Sequence, residues 1–259
     1  MKGVSQIMKK SLAIFIMIVL VTFSLASIVA ADTFDQVLQR WTKNKLLIDR
    51  EFEDSSTLEI WATYYSAEFI EAYVQNEAKN NMWTQSETED FKYKFVKALK
   101  LEDTIPMQIK FENNAETMYL KPFDIFISLR IGKNVYKPID YDKRFNFKFQ
   151  GDKEGLVFFP RYDAKTGKDL LKGVKTVRLE LKSTISPRMK NDVEFIYDIG
   201  NDDPQKVFKG KTADKMETDR LLKRLEKLRK DKAEIDAQLK TVVSEIDTIQ
   251  KRLDQLAKK

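Results

Sequence analysis

Three sets of carboxylates stand close together along this chain: Glu51, Glu53 and Asp54; Asp140 and Asp142; and Asp198, Asp202 and Asp203. Two carboxylates with separated pKa values can cleave a glycosidic bond, one protonating the leaving oxygen while the other attacks the sugar or activates water. Clustered hard oxygens can also hold Ca²⁺. The chain has 40 acidic residues, so closeness in sequence singles out no pair. EF-hand spacing, a phosphate-binding Gly loop and a Gly-x-Ser-x-Gly elbow are all absent.

The composition narrows the chemistry further. With no Cys and no His, the chain has no thiolate nucleophile, no disulfide, no imidazole base and no His- or Cys-ligated zinc. A reaction would have to run on Asp, Glu, Lys, Ser, Thr or Tyr. The sequence therefore nominates no catalytic residue, no metal and no cofactor. The aromatic residues Trp41, Trp61, Trp83, Tyr64 and Tyr65 have the chemistry of a glycan-stacking platform, but aromatics at strand spacing more often build a core.

The strongest pattern is of another kind. Leu221, Leu225, Leu228, Lys232, Ile235, Leu239, Val242, Ile246, Ile249, Leu253 and Leu256 follow one another at steps of four and three. This is a heptad repeat, with Leu225, Lys232, Leu239, Ile246 and Leu253 at a and the others at d. A helix over about 215–258, roughly 65 Å long, would leave a continuous apolar seam that needs a partner. That partner is a second copy (a homo-oligomer), a helix of another protein, or the chain's own β domain. Lys232 at an a position costs stability and can fix register. Leu222 and Val243, at e positions, widen the apolar face.

Arg220, Lys223, Arg224, Lys227, Arg229, Lys230 and Lys232 also make this helix locally basic, against only Glu226 and Asp231. An anionic envelope polymer or a membrane surface would suit such a patch, and a solvated helix face is the plainer reading. Formal net charge is +6. Without Lys2, Lys9 and Lys10, the 46 basic residues fall to 43 against 40 acidic ones, or +3. This modest balance, with no recognisable motif, gives no sign of nucleic-acid binding.

Residues 1–31 read as an export signal. Three lysines precede an apolar run from Leu12 to Val29, and Val29-Ala30-Ala31 suits signal peptidase, with the cut between Ala31 and Asp32. An uncleaved signal-anchor is the rival reading. Either places the remainder outside the cytoplasm, in a periplasmic or extracellular compartment, and the absence of Asn-x-Ser/Thr sites suits a bacterial envelope.

The elements that follow are of two kinds. Asp32–Ile48 has helical spacing, and Leu58, Ile60, Ala62 and Tyr64 alternate as in a strand. Ser66 can cap a helix to about Asn80. Residues 84–99 carry capping-box signals but also alternate at Phe91, Tyr93 and Phe95, which predicts a turn and then a strand. From Ile105 the pattern is mostly strand, through Met107–Phe111 (ending at Asn113-Asn114), Ile125–Ile131, Phe145–Phe149 (ending at Gly151), Leu156–Phe159, Val177–Leu181 and Val193–Tyr197.

The expected fold is α+β. An antiparallel sandwich-like domain over 32–200, with N-terminal helices, is joined by a polar linker at 201–214 to a coiled coil at 215–259. Phe158–Pro160 followed by Val177–Leu181 suggests an immunoglobulin-like pair of strands, an analogy that implies no activity. The expected function is an exported cell-envelope interaction or scaffold protein, not an enzyme, assembled through its helix. Alternatives are a carboxylate-dependent hydrolase of envelope glycans and a chaperone-like periplasmic binding module.

Overall fold

The structure is a computed structural model describing residues 32–48 and 56–257. It is α+β, with two antiparallel sheets and a long C-terminal helix. The order is α1 (Phe34–Trp41), β1 (Thr42–Ile48), β2 (Thr57–Tyr64), α2 (Ala67–Asn80), α3 (Gln85–Ala98), β3 (Thr104–Met118), β4 (Ile127–Ile131), β5 (Asn134–Tyr136), β6 (Asp140–Tyr141), β7 (Phe149–Pro160), β8 (Thr176–Leu181), β9 (Val193–Asp198) and α4 (Lys211–Ala257). The larger sheet runs β1-β2-β3-β7-β6 and the smaller β5-β4-β8-β9.

Alternation sends one side of each sheet into a single apolar core. Leu58, Ile60, Ala62 and Tyr64 of β2 are buried, as are Val177, Leu179 and Leu181 of β8 and Val193, Phe195 and Tyr197 of β9. The Tyr197 hydroxyl donates to the Ala62 carbonyl at 2.7 Å, tying the two sheets together. α1, α2 and α3 pack against one another through a chain of rings, among them Phe34, Phe69, Tyr73, Phe91 and Phe95.

Several elements differ from the sequence reading. The expected helix over 32–48 stops at Trp41. Thr42 turns extended, and Thr42–Ile48 pairs with β2 from Thr42↔Thr63 to Ile48↔Thr57. The strand expected within 84–99 is a helix. The Thr84 hydroxyl accepts from the Glu87 N–H while the Glu87 carboxylate accepts from the Thr84 N–H at 2.8 Å, closing a capping box. Phe91 and Phe95, four apart, meet the α2 rings, and Tyr93 faces elsewhere. The period-two alternation was a by-product of this four-residue spacing.

Asn113-Asn114 does not end β3. The Asn113 side chain accepts from the Ala115 N–H and donates to the Glu116 carbonyl, so turn chemistry is spent on an irregularity within a long strand. Opposite it, Gly151 at φ +78° lies inside β7, where a strand end was expected. Ile125 belongs to a 3₁₀ turn, Phe123–Ile125, ahead of β4. Phe145 lies in another, Lys143–Asn146, capped by Asp142, which buries Phe145 and leaves Phe147 exposed. β7 and β8, likened to an immunoglobulin-type pair, lie in different sheets.

Candidate functional site: the exposed heptad face of the long helix

α4 begins after Gly210, whose φ of +58° suits a residue without Cβ, and runs 47 residues, about 70 Å. Its first turns dock on α3. Met216 and Thr212 are buried, and the Thr212 hydroxyl donates to Glu89 at 3.3 Å. Lys215 pairs with Asp90, and Arg220 with Glu102 at 2.7 Å. Asp219 accepts from both Lys97 and the Tyr93 hydroxyl, the latter at 2.6 Å. The Lys97 and then the Tyr93 hydrogen bonds hold the Asp219 carboxyl below the usual carboxylate range, and Lys215 does the same to Asp90.

Thr212, Asp219, Arg220 and Met216 fall at b, c and f positions of the heptad, away from the a/d seam, and Lys215 at e lies on its flank. The seam is consequently open from its first residue. Leu221, Leu225, Leu228, Ile235, Leu239, Val242, Ile246, Ile249, Leu253 and Leu256 are all 43–62 % exposed, and Lys232 is exposed among them. Folding back onto the β domain, one of the three partners the sequence allowed, is not what the seam does in this structure.

The polar stretch 201–210 is held against the fold. Val207 is fully buried, a 3₁₀ turn spans Pro204–Lys206, and Asp202 reaches into the domain. The Ala67 N–H donates to Asp202 at 2.8 Å, and the Tyr64 hydroxyl at 3.3 Å. Burial raises the Asp202 carboxyl above its ordinary value against these bonds. Val207 and Phe208, apolar in a polar stretch, were the available signal for this anchor.

The carboxylate sets are occupied structurally. Glu51, Glu53 and Asp54 lie outside the described residues. Asp140 pairs with Lys100 at 2.8 Å, and Asp142 with Arg144 at 2.6 Å, and both carboxyls are lowered, mainly by these bonds. Asp198 and Asp203 accept from the backbone of Gly200 and Gln205. A cleft of about 640 Å³ is lined in part by Glu68, Glu71, Asp198, Asp202 and Asp203, with Arg40 and Lys206 among them. Among the described residues no acidic group is arranged to hold a metal ion. Trp41, Tyr64 and Tyr65 are buried, Trp41 at the wall of this cleft, while Trp61 on β2 and Trp83, packed on Phe91, are half-buried, so the structure does not gather the three Trp rings on one element.

Ala31 lies outside the described residues, and Asp32 pairs with Arg40. No helix among the described residues is long and apolar enough to cross a membrane. No family model matches the chain, and no curated protein matches it. Among solved structures it is similar to a protein of unknown function from Burkholderia pseudomallei K96243, at 11 % identity and a TM-score of 0.31, over 57 % of this chain and 76 % of that one. That likeness carries no argument about fold or function.

Proposed function

We propose that this chain is an exported cell-envelope interaction protein that assembles with a second copy of itself through the seam of α4. The observation carrying this reading is the open seam: an apolar face exposed from Leu221 to Leu256 on a helix whose base is anchored by other faces. Left in water, such a face is a standing cost that association removes. Export rests on the leader read in residues 1–31.

Assembly doubles the globular domain on a shared rod, and paired domains hold a multivalent target more strongly than single ones. Lys223, Lys227 and Lys230 occupy outer heptad positions and stay available to an anionic polymer or membrane surface in the assembled form. Absolute mass by light scattering tests the reading. A chain starting at Asp32 should run as an oligomer. A monomer at all accessible concentrations removes the proposal.

A further inference from the structure

We infer that the second copy lies antiparallel, with Lys232 level with Ile235 of the second copy, so that two globular domains sit at opposite ends of one rod. This rests on the self-association proposed above and adds its direction and register.

The charges flanking the seam decide against a parallel pair. In a parallel, in-register dimer the a residues face each other, which sets Lys232 against Lys232 of the second copy. The g residues then face e residues of the next heptad. That brings Arg224 to Arg229 and Asp231 to Asp236 of the second copy, each twice by symmetry. Every charged flanking pair and every charged core layer (Lys211, Asp214 and Lys232) is like with like.

Reversing one helix makes g face g and e face e. With Lys232 beside Ile235, the core layers become Leu225 with Val242, Leu239 with Leu228, and Ile246 with Leu221. Arg224 then comes within about 3 Å along the axis of Glu245 of the second copy, and Glu217 equally near Arg252. On the other flank Arg229 meets Asp236, and Leu222 meets Val243, which accounts for the two apolar e positions. Lys232 lies within one residue's rise of Asp236 of the second copy. Sliding the second copy by one heptad so that Lys232 meets Val242 returns Arg224 to Arg252 and Asp231 to Glu245, both repulsive.

The structure permits this register. It overlaps nearly the whole of α4, so the tip of one helix runs beside the base of the other, and Ile249, Leu253 and Leu256 come level with Thr218, Asp214 and Lys211 of the second copy, the layers in which this register gives up apolar contact for charge matching along the flanks. That base holds α3 through Thr212, Met216 and Asp219, at b and f positions on the side away from the seam, with Lys215 on the flank paired to Asp90.

The chain has no Cys, which makes cross-linking clean. Equal amounts of the Leu225→Cys and Val242→Cys variants, mixed and treated with a short bis-maleimide, should yield the mixed dimer, and Leu225→Cys alone should not link. Arg224→Glu should weaken association about five- to thirtyfold by turning two attractions into repulsions, and adding Glu245→Arg should restore it. A parallel pair responds with the opposite sign, because Arg224→Glu relieves its clash with Arg229. Efficient linking of Leu225→Cys to itself, or tighter association of Arg224→Glu, overturns the antiparallel pairing while leaving self-association intact. Light scattering on the same samples separates the two claims. A trimer or tetramer overturns this pairing, and a monomer overturns both.

Discussion

Leu239 and Ile246 lie well beyond the docked base of α4 and are 60 % and 58 % exposed in the single chain. Fully burying a Leu or Ile is worth about 1.5–3 kcal/mol, so covering the exposed part is worth about 1–2 kcal/mol per residue. Two residues on each of two chains contribute about 4–8 kcal/mol to a dimer, or roughly three to six orders of magnitude in Kd. Replacing both by Asp removes this and sets charge into the seam. Helix propensity alone costs about 0.7 kcal/mol or less per substitution, so α4 and the core should persist. Light scattering should show the wild-type mass halving in the variant, with the domain's thermal transition unmoved. An unchanged mass refutes the seam as the contact, and a lost domain transition refutes the separation of seam from core.

Other consequences follow from single contacts. Thr84→Ala should lower the thermal midpoint of the domain through a loss of about 0.5–2 kcal/mol, because the α3 capping box goes with it; a strand at this position would have no such sensitivity. Asp202→Ala should cost about 1–3 kcal/mol by orphaning the Ala67 N–H and the Tyr64 hydroxyl, and denaturant melts will read it. Asp202 has a raised carboxyl, so its ionisation opposes folding as pH climbs through the folded value. Asp202→Asn should therefore be milder than Asp202→Ala, and should flatten that part of the stability profile. Asp219 and Asp90 are shifted the other way. Their support of the α4 base is complete above the ordinary carboxylate pKa of about 4 and is lost as pH falls through their depressed values. Protection of the 211–220 amides, measured against the intrinsic exchange rate at each pH, should fall below about pH 4 in wild type, and should be lower at neutral pH in Asp219→Asn than in wild type.

The sequence by itself determined the elements whose cause is local. The alternating residues of β2, β8 and β9 point inward because a strand repeats every two residues, and Ser66 caps α2 because its oxygen meets the Phe69 N–H. The long helix of α4 was legible, though it starts at Lys211 rather than 215, since helical spacing depends on no distant neighbour. The tertiary structure decided what local spacing left degenerate. Phe91, Tyr93 and Phe95 fit two periods, and the rings of α2 selected the helix. Lys45 and Ile48 fitted a helical step, but an open edge of β2 took them as a strand. Carboxylates neighbouring in sequence, Asp140 and Asp142, were drawn to different cations by different loops. The orientation of α4 belonged to the tertiary level too. Which face docks on α3 depends on Asp90, Tyr93 and Lys97, more than a hundred residues away, and that choice leaves the seam exposed.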